Sequence, residues 1–319
     1  LGGAFGTVAG LLDMPNQSGR KTMENRETLL RLVEDEIGRL PLDDMQPQGL
    51  YAPIRYILED GGKRIRPLLC LMGADLYSGA PRQALSAAVA VEVFHNFTLL
   101  HDDIMDKAEL RRGRPTAHLM WGESGAILSG DAMLILAYQI LQRGASTYGT
   151  EKLPQLMAVF NRAAMEVCQG QQYDMDFERK PKVSVVEYMH MIELKTSVLL
   201  AGAVAIGAML GGASEEDCRK LRRFAVELGL AFQLQDDLLD SYGDERLGKA
   251  IGGDILEGKK TYLMITAMSR ADEATREMLR TAYRDPALSD AEKIGKVKSI
   301  YDRLDGPRLT EQQIQLRVE

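Results

Sequence analysis

Residues 84–106, "ALSAAVAVEVFHNFTLLHDDIMD", bring apolar side chains round every three or four positions, among them Val89, Val93, Phe97 and Leu100. That spacing is the period of an α-helix, and it recurs along almost the whole chain. Helix starts are marked as well. Ser184 with Glu187, and Ser214 with Asp217, stand in the pattern of a capping box; in the second, Asp takes the place of the usual Glu or Gln. Period-two alternation between turn residues is scarce. Breakers fall between the helical stretches, at 59–67, 78–81, 111–116 and 243–254. No solenoid repeat or low-complexity tract interrupts the pattern. The expectation is an all-α helical bundle in one large domain, residues 23–319, with Met23 opening its first helix.

Composition narrows the chemistry. A net charge of −7 argues against wholesale nucleic-acid binding. The three cysteines, Cys70, Cys168 and Cys218, are far apart and form no CxxC, so no disulfide framework or zinc site is expected. Sparse cysteine fits a reducing, cytoplasmic compartment. No apolar run reaches the roughly 18–20 residues that span a bilayer, so no stable membrane insertion is expected. The longest candidate, "SVLLAGAVAIGAMLGGA" at 197–213, reads as a tightly packed core helix. Residues 1–22 are Gly-rich and weakly patterned, and read as a cloning remnant or loose extension.

Helix 84–106 ends in an apparent liability. Asp102 and Asp106, at i and i+4, share one helix face beside apolar neighbours, with Asp103 between them. Like charges at that spacing cost a helix about 0.2–0.5 kcal/mol, and desolvating carboxylates costs more. The pattern returns in "LQDDLLD" as Asp236, Asp237 and Asp240. One such cluster alone reads best as a solvated acidic face; two near-identical copies do not. Carboxylates with room for water are the ligands of hard divalent cations, and Mg²⁺ is usually held by one or two of them together with substrate phosphates. Such clusters can face each other across a bundle. Di-iron chemistry would want Glu-x-x-His pairs, and the four histidines supply none.

Basic loops follow both clusters. Arg111, Arg112 and Arg114 come just after the first, and Lys249, Lys259 and Lys260 just after the second. "GGKRIRP" adds Lys63, Arg64 and Arg66. Acidic metal-binding helices followed by cationic loops suit a polyphosphate ligand, whose oxygens divide between metal and Lys/Arg. No GxxxxGK[ST] occurs, so the source is not a P-loop.

Together "GGKRIRP", "LLHDDIMD" with "RRGRPT", "LKT" at 194–196, "FQLQDDLLD" and "GKAIGGDILEGKKT" resemble the trans-prenyltransferases, or polyprenyl diphosphate synthases, in order and spacing from about residue 50 to 262. The resemblance implies a bundle around a deep central cavity, usually a homodimer. It implies that an allylic diphosphate (dimethylallyl, geranyl or farnesyl) loses diphosphate while isopentenyl diphosphate adds head to tail. By matching position, Asp102 and Asp106 bind two Mg²⁺ and Asp236 a third. Asp103, Asp237 and Asp240 support them. Arg111, Lys195 and Lys259 hold the allylic diphosphate, and Lys249 closes over it. Lys63, Arg66, His95 and Arg112 hold that of isopentenyl diphosphate, and Thr196 and Gln233 line the reacting carbons. No histidine is assigned as general base, and His101 is expected to be structural.

Product length is expected to be set upstream of Asp102. At about 1.5 Å per residue, Phe97 lies roughly 7 Å and Phe94 roughly 12 Å deeper along the helix. Either ring can act as a floor for the growing chain, or simply pack in the core. A single aromatic five positions upstream, next to Thr98 and with no insertion in DDxxD, resembles short-chain synthases, with C20 expected first and C15 next. Relative to the family the chain is short after "SIYDRLDGPRLTEQQIQLRVE". Terpene cyclases carry a different second metal motif, and non-catalytic partner subunits typically lose one acidic motif; this chain keeps two full copies. Head-to-head synthases need no isopentenyl diphosphate pocket, whereas Lys63, Arg66 and Arg112 are present here.

Overall fold

The computed structural model describes residues 24–243 and 251–319. Helices dominate, as the periodicity requires. In chain order they are α1 (Arg26–Gly38), α2 (Gln48–Glu59), α3 (Ile65–Ser78), α4 (Leu85–Met105), α5 (Ala117–Trp121), α6 (Glu123–Arg143), α7 (Ala145–Tyr148) and α8 (Leu153–Arg179). There follow α9 (Val185–Ile192), α10 (Val198–Gly211), α11 (Glu215–Tyr242), α12 (Gly253–Glu257), α13 (Tyr262–Arg270), α14 (Glu273–Arg284), α15 (Asp290–Arg303) and α16 (Gly306–Val318). Met23 and the first 22 residues lie outside the described residues. The first helix begins at Arg26, because Asn25 is extended and its side chain accepts from the Thr28 amide at 2.8 Å. The box at Ser184 forms in full with Glu187, and Ser214 Oγ accepts from the Asp217 amide at 3.1 Å.

The chain clusters into two compact units. The first holds residues 24–163 and 199–224 of the described chain. Its centre is α4, largely buried along its length, with Val89, Val93, Phe94 and Leu100 each at most 1% exposed. α10 explains the Ala/Gly-rich run: a Cβ on Gly207 would sit 1.8 Å from the Cys70 carbonyl oxygen of α3, so only glycine permits that approach.

The second unit holds residues 164–198 and 225–319. Tyr188 and Ile192 of α9, Leu234 and Leu238 of α11, Leu263 of α13 and Tyr301 of α15 build its core.

Two expectations change. Three helical stretches, Pro81–Met105, Glu123–Tyr148 and Val185–Gly211, do have the length and apolar composition to cross a bilayer. The eye underrates them because alanine and glycine dilute the apolar run. The apolar windows of the first and third are 61% and 83% buried within the protein, as core helices are, and that of Glu123–Tyr148 is 39% buried. The breaker at 111–116 is also more than a loop. Strands β1 (Leu110–Arg111) and β2 (Arg114–Pro115) pair antiparallel around Arg112 and Gly113. Both turn residues have positive φ, +52° and +80°, as a two-residue type I′ hairpin demands.

Candidate active site

In the first unit, α4 delivers its three aspartates in its last turn, and Asp106 is the residue that caps the helix. They do not share one environment. Asp103 is 2% exposed, Asp102 half-buried and Asp106 exposed. The hairpin turns Arg111 back onto the buried one: its Nε donates to Asp103 Oδ1 at 2.8 Å, and its Nη2 lies 2.7 Å from the same oxygen. Burial raises the Asp103 carboxyl above its ordinary range, and Arg111 opposes that rise. Arg111 also pays for burial, but its bond to Asp103 and the charges of Asp102 and Asp106 hold its pKa above the usual value.

A cationic group assembles in the same unit. Arg64 adopts a left-handed backbone (φ +48°) just before α3 and points inward. It donates to Glu34 and Glu92 at 2.8 Å each and to the Leu58 carbonyl at 2.6 Å, so it serves as an internal staple. Arg66 Nη1 lies 3.0 Å from His95 Nε2, and its buried Nε has no hydrogen-bond partner among the described residues. Burial pulls the Arg66 pKa down to about 10, with Glu92 opposing. His95 falls well below its ordinary value, through burial and then the charge of Arg66, Arg112, Arg111 and Arg64. It stays neutral. Arg112 donates to the Gly61 carbonyl at 2.6 Å and pairs with Asp60 at 3.7 Å. Lys63, next to Arg64 in the chain, is exposed.

The second unit repeats the division of labour. On α11 the middle aspartate, Asp237, is 4% exposed. It accepts from the Tyr188 hydroxyl, from Gln233 Nε2 at 3.1 Å and from the Tyr262 amide at 3.3 Å. Burial pushes its pKa up to about 6 against those bonds. Asp236 and Asp240 are half-buried, and Asp240 Oδ2 accepts from the Asp254 amide at 3.0 Å. Burial, then Asp240 and Asp237, push Asp254 up to about 8. Gln233 also accepts from Thr196 Oγ1 at 2.9 Å, Lys195 Nζ pairs with Asp174 at 2.6 Å, and Lys259 Nζ pairs with Glu257 at 2.8 Å.

In both DDxxD copies, then, the middle carboxylate is the buried one and is held by protein donors, while the outer two are half-buried or exposed. Among the described residues no three His, Cys, Asp or Glu side chains converge into a self-sufficient metal cage. Asp102 and Asp106 at the end of α4 and Asp236 on α11 supply carboxylate oxygens, the donor type that Mg²⁺ takes alongside water and phosphate.

Residues 47–304 match the polyprenyl synthetase family. The chain belongs to that family. Over 287 residues it is 40% identical to geranylgeranyl diphosphate synthase of Methanosarcina mazei, covering 87% of this chain and 86% of the relative. A crystal structure of a geranylgeranyl pyrophosphate synthase superposes with TM-score 0.86 at 44% identity, covering 92% of this chain and 90% of that one. The geranylgeranyl pyrophosphate synthase of Corynebacterium glutamicum, solved with isoprenyl diphosphate and magnesium, superposes with TM-score 0.82 at 28% identity, covering 92% and 91%. This synthetase is a prenyltransferase, all-α like those structures.

Within its first unit the synthetase brings together Asp102, Asp103, Asp106 and Arg111, and likewise Arg66, His95 and Arg112. Within its second it joins Thr196, Gln233 and Asp237 in one hydrogen-bonded run, while Lys195 pairs separately with Asp174 and Asp240 with the Asp254 amide. Lys249 lies outside the described residues. His101 Nε2 lies 3.1 Å from the Ile127 carbonyl. Asp60, Glu92, Asp174, Tyr188 and Asp254 were not singled out from the sequence. Glu92 left a trace there, as an acid inside the apolar face of α4; the others acquire meaning only from their partners.

Proposed function

We propose that this synthetase condenses isopentenyl diphosphate head to tail with an allylic diphosphate, using Mg²⁺ held at Asp102, Asp106 and Asp236, about three ions per active site. The observation that carries the reading is the shared design of the two acidic motifs. Each buries its middle aspartate against protein donors, Arg111 for Asp103 and Tyr188, Gln233 and the Tyr262 amide for Asp237, while its outer carboxylates are more accessible to solvent. Magnesium, when bound, neutralises the diphosphate that leaves. Arg111, already ordered by Asp103, donates to the allylic diphosphate, and in the second unit Lys195 and Lys259 do the same. Lys63, Arg66, His95 and Arg112 take the diphosphate of isopentenyl diphosphate; a neutral His95 beside Arg66 can donate without adding charge that burial would penalise. C–O cleavage leaves an allylic cation, and the double bond of isopentenyl diphosphate attacks it. Thr196 and Gln233 border the reacting carbons, and apolar walls exclude water that would quench the cation to an alcohol. The departing diphosphate takes the proton lost afterwards, so no side-chain base is required.

The product assigned is C20, with C15 second. The support is an aromatic stack behind Asp102. Phe97 lies edge-on to His101 at 4.8 Å between ring centroids, Phe94 is 5.4 Å from Phe97, and Phe160 is 5.4 Å from Phe94. The alternative floor, Thr98, turns its hydroxyl onto the His95 carbonyl at 2.8 Å. The protein is assigned as a cytoplasmic homodimer. Incubation with Mg²⁺, labelled isopentenyl diphosphate and C5, C10 or C15 primers tests the activity. Chromatography of the dephosphorylated alcohols reads chain length, and size-exclusion chromatography with light scattering reads the dimer. Absence of incorporation with every primer would overturn the assignment.

A further inference from the structure

Lys195 and Thr196 sit on a single turn of π-helix, Glu193–Ser197, between α9 and α10. A π turn inserts an extra residue, so the backbone bulges. Two neighbouring helices receive the bulge, and each does so with a glycine. A Cβ on Gly170 of α8 would lie 2.3 Å from the Lys195 amide nitrogen and 2.6 Å from its Cα. A Cβ on Gly229 of α11 would lie 2.7 Å from Ser197 Cα and 2.4 Å from its Oγ. Backbone atoms cannot rotate out of the way, so any side chain at either position displaces the turn.

One helical turn further on, each of these helices supplies a polar partner. Asp174, four residues after Gly170, pairs with Lys195 Nζ at 2.6 Å. Gln233, four residues after Gly229, accepts from Thr196 Oγ1 at 2.9 Å. Residues at i and i+4 share a face. Each helix therefore offers the bulge a gap for its backbone and a hydrogen-bonding group for its side chain. Ser197 Oγ, buried against Gly229, has no hydrogen-bond partner among the described residues, so on that side the fit is one of shape.

We propose that Gly170 and Gly229 are positioning residues for the condensation: they seat the π turn and so fix where Lys195 and Thr196 present their side chains. The inference rests on the assignment of Lys195 and Thr196 to the substrates. Neither glycine touches substrate.

A double-mutant cycle separates positioning from packing. Gly170→Ala is expected to lower kcat about ten- to a hundred-fold, the cost of roughly an ångström of misplacement. KM for isopentenyl diphosphate should stay within about two-fold, because Arg66, His95 and Arg112 are untouched. In a Lys195→Ala background the same change should lower kcat no further. The second cycle pairs Gly229→Ala with Thr196→Val, and decides the matter if Gly170→Ala does not fold. Wild-type kcat in the folded glycine variants, or losses that multiply in both cycles, would overturn the seat. A Lys195→Ala enzyme with wild-type kcat would instead overturn the assignment of Lys195. Alanine is the better helix former, so without a seat both glycine variants would match or exceed the wild-type Tm.

Discussion

His95 illustrates how one side chain takes its properties from its neighbours. Burial and four arginines, with Arg66 foremost, hold its pKa well below 6.5. The unfolded chain therefore binds a proton at His95 before the folded one does as pH falls. Stability drops as pH descends through about 6.5, by at most about 1.4 kcal/mol per pH unit for this one site. His95→Gln should flatten that slope between pH 7 and 5 in urea titrations run at each pH; an unchanged slope would place the proton elsewhere. The sequence showed a histidine in an apolar helix. The family resemblance grouped it with Arg66 and Arg112, but the helical pattern alone could not, since they lie 29 and 17 positions away along the chain (95 − 66 and 112 − 95), and neither showed how far they hold its charge down. The same limit hid Asp174 and Tyr188, which look like ordinary helix residues until Lys195 and Asp237 reach them.

At the level of elements, local pattern was legible where local forces decide. The Ser184–Glu187 box forms as spaced, and Lys180 adds an ion pair. The Lys180 and Ser184 contacts hold the Glu187 carboxyl down at about 2. A depressed carboxylate stabilises the fold above its unfolded pKa near 4.5 and loses that contribution as pH falls toward 2. Glu187→Gln should thus lower Tm at pH 7, and the gap should narrow progressively below pH 5 in thermal melts. The hairpin at Arg111–Arg114 was read only as a breaker, because a two-residue strand is too short for any alternation to show. The helix α4 carries the ruler proposed for chain length. Phe97→Ala should shift the product spectrum upward by one or more five-carbon units, with Phe94 and Phe160 as the next stop. Unchanged alcohols by chromatography would return Phe97 to plain core packing.

For the whole molecule, the proposed chemistry couples ligand to stability. Anything that binds the folded chain alone stabilises it, by about 2.7 kcal/mol at a hundred times its Kd. Mg²⁺ and inorganic diphosphate together should raise Tm by several degrees, and either one alone should do much less. Asp102→Ala and Asp236→Ala should each shrink the combined shift, as read by differential scanning fluorimetry. A full shift in both variants would remove these aspartates from the metal assignment.

By itself the sequence determined the all-α class, the helix caps, the two acidic motifs and the cationic loops that accompany them. Helical period, capping and charge spacing are local, and a handful of consecutive residues suffices to specify each. The tertiary structure decided which aspartate of each motif is buried and spent, which arginine staples the interior, and which glycines admit a bulged turn. Those outcomes depend on burial and on partners far away in the chain, because the energy of a charge or a close contact is set by what surrounds it in space.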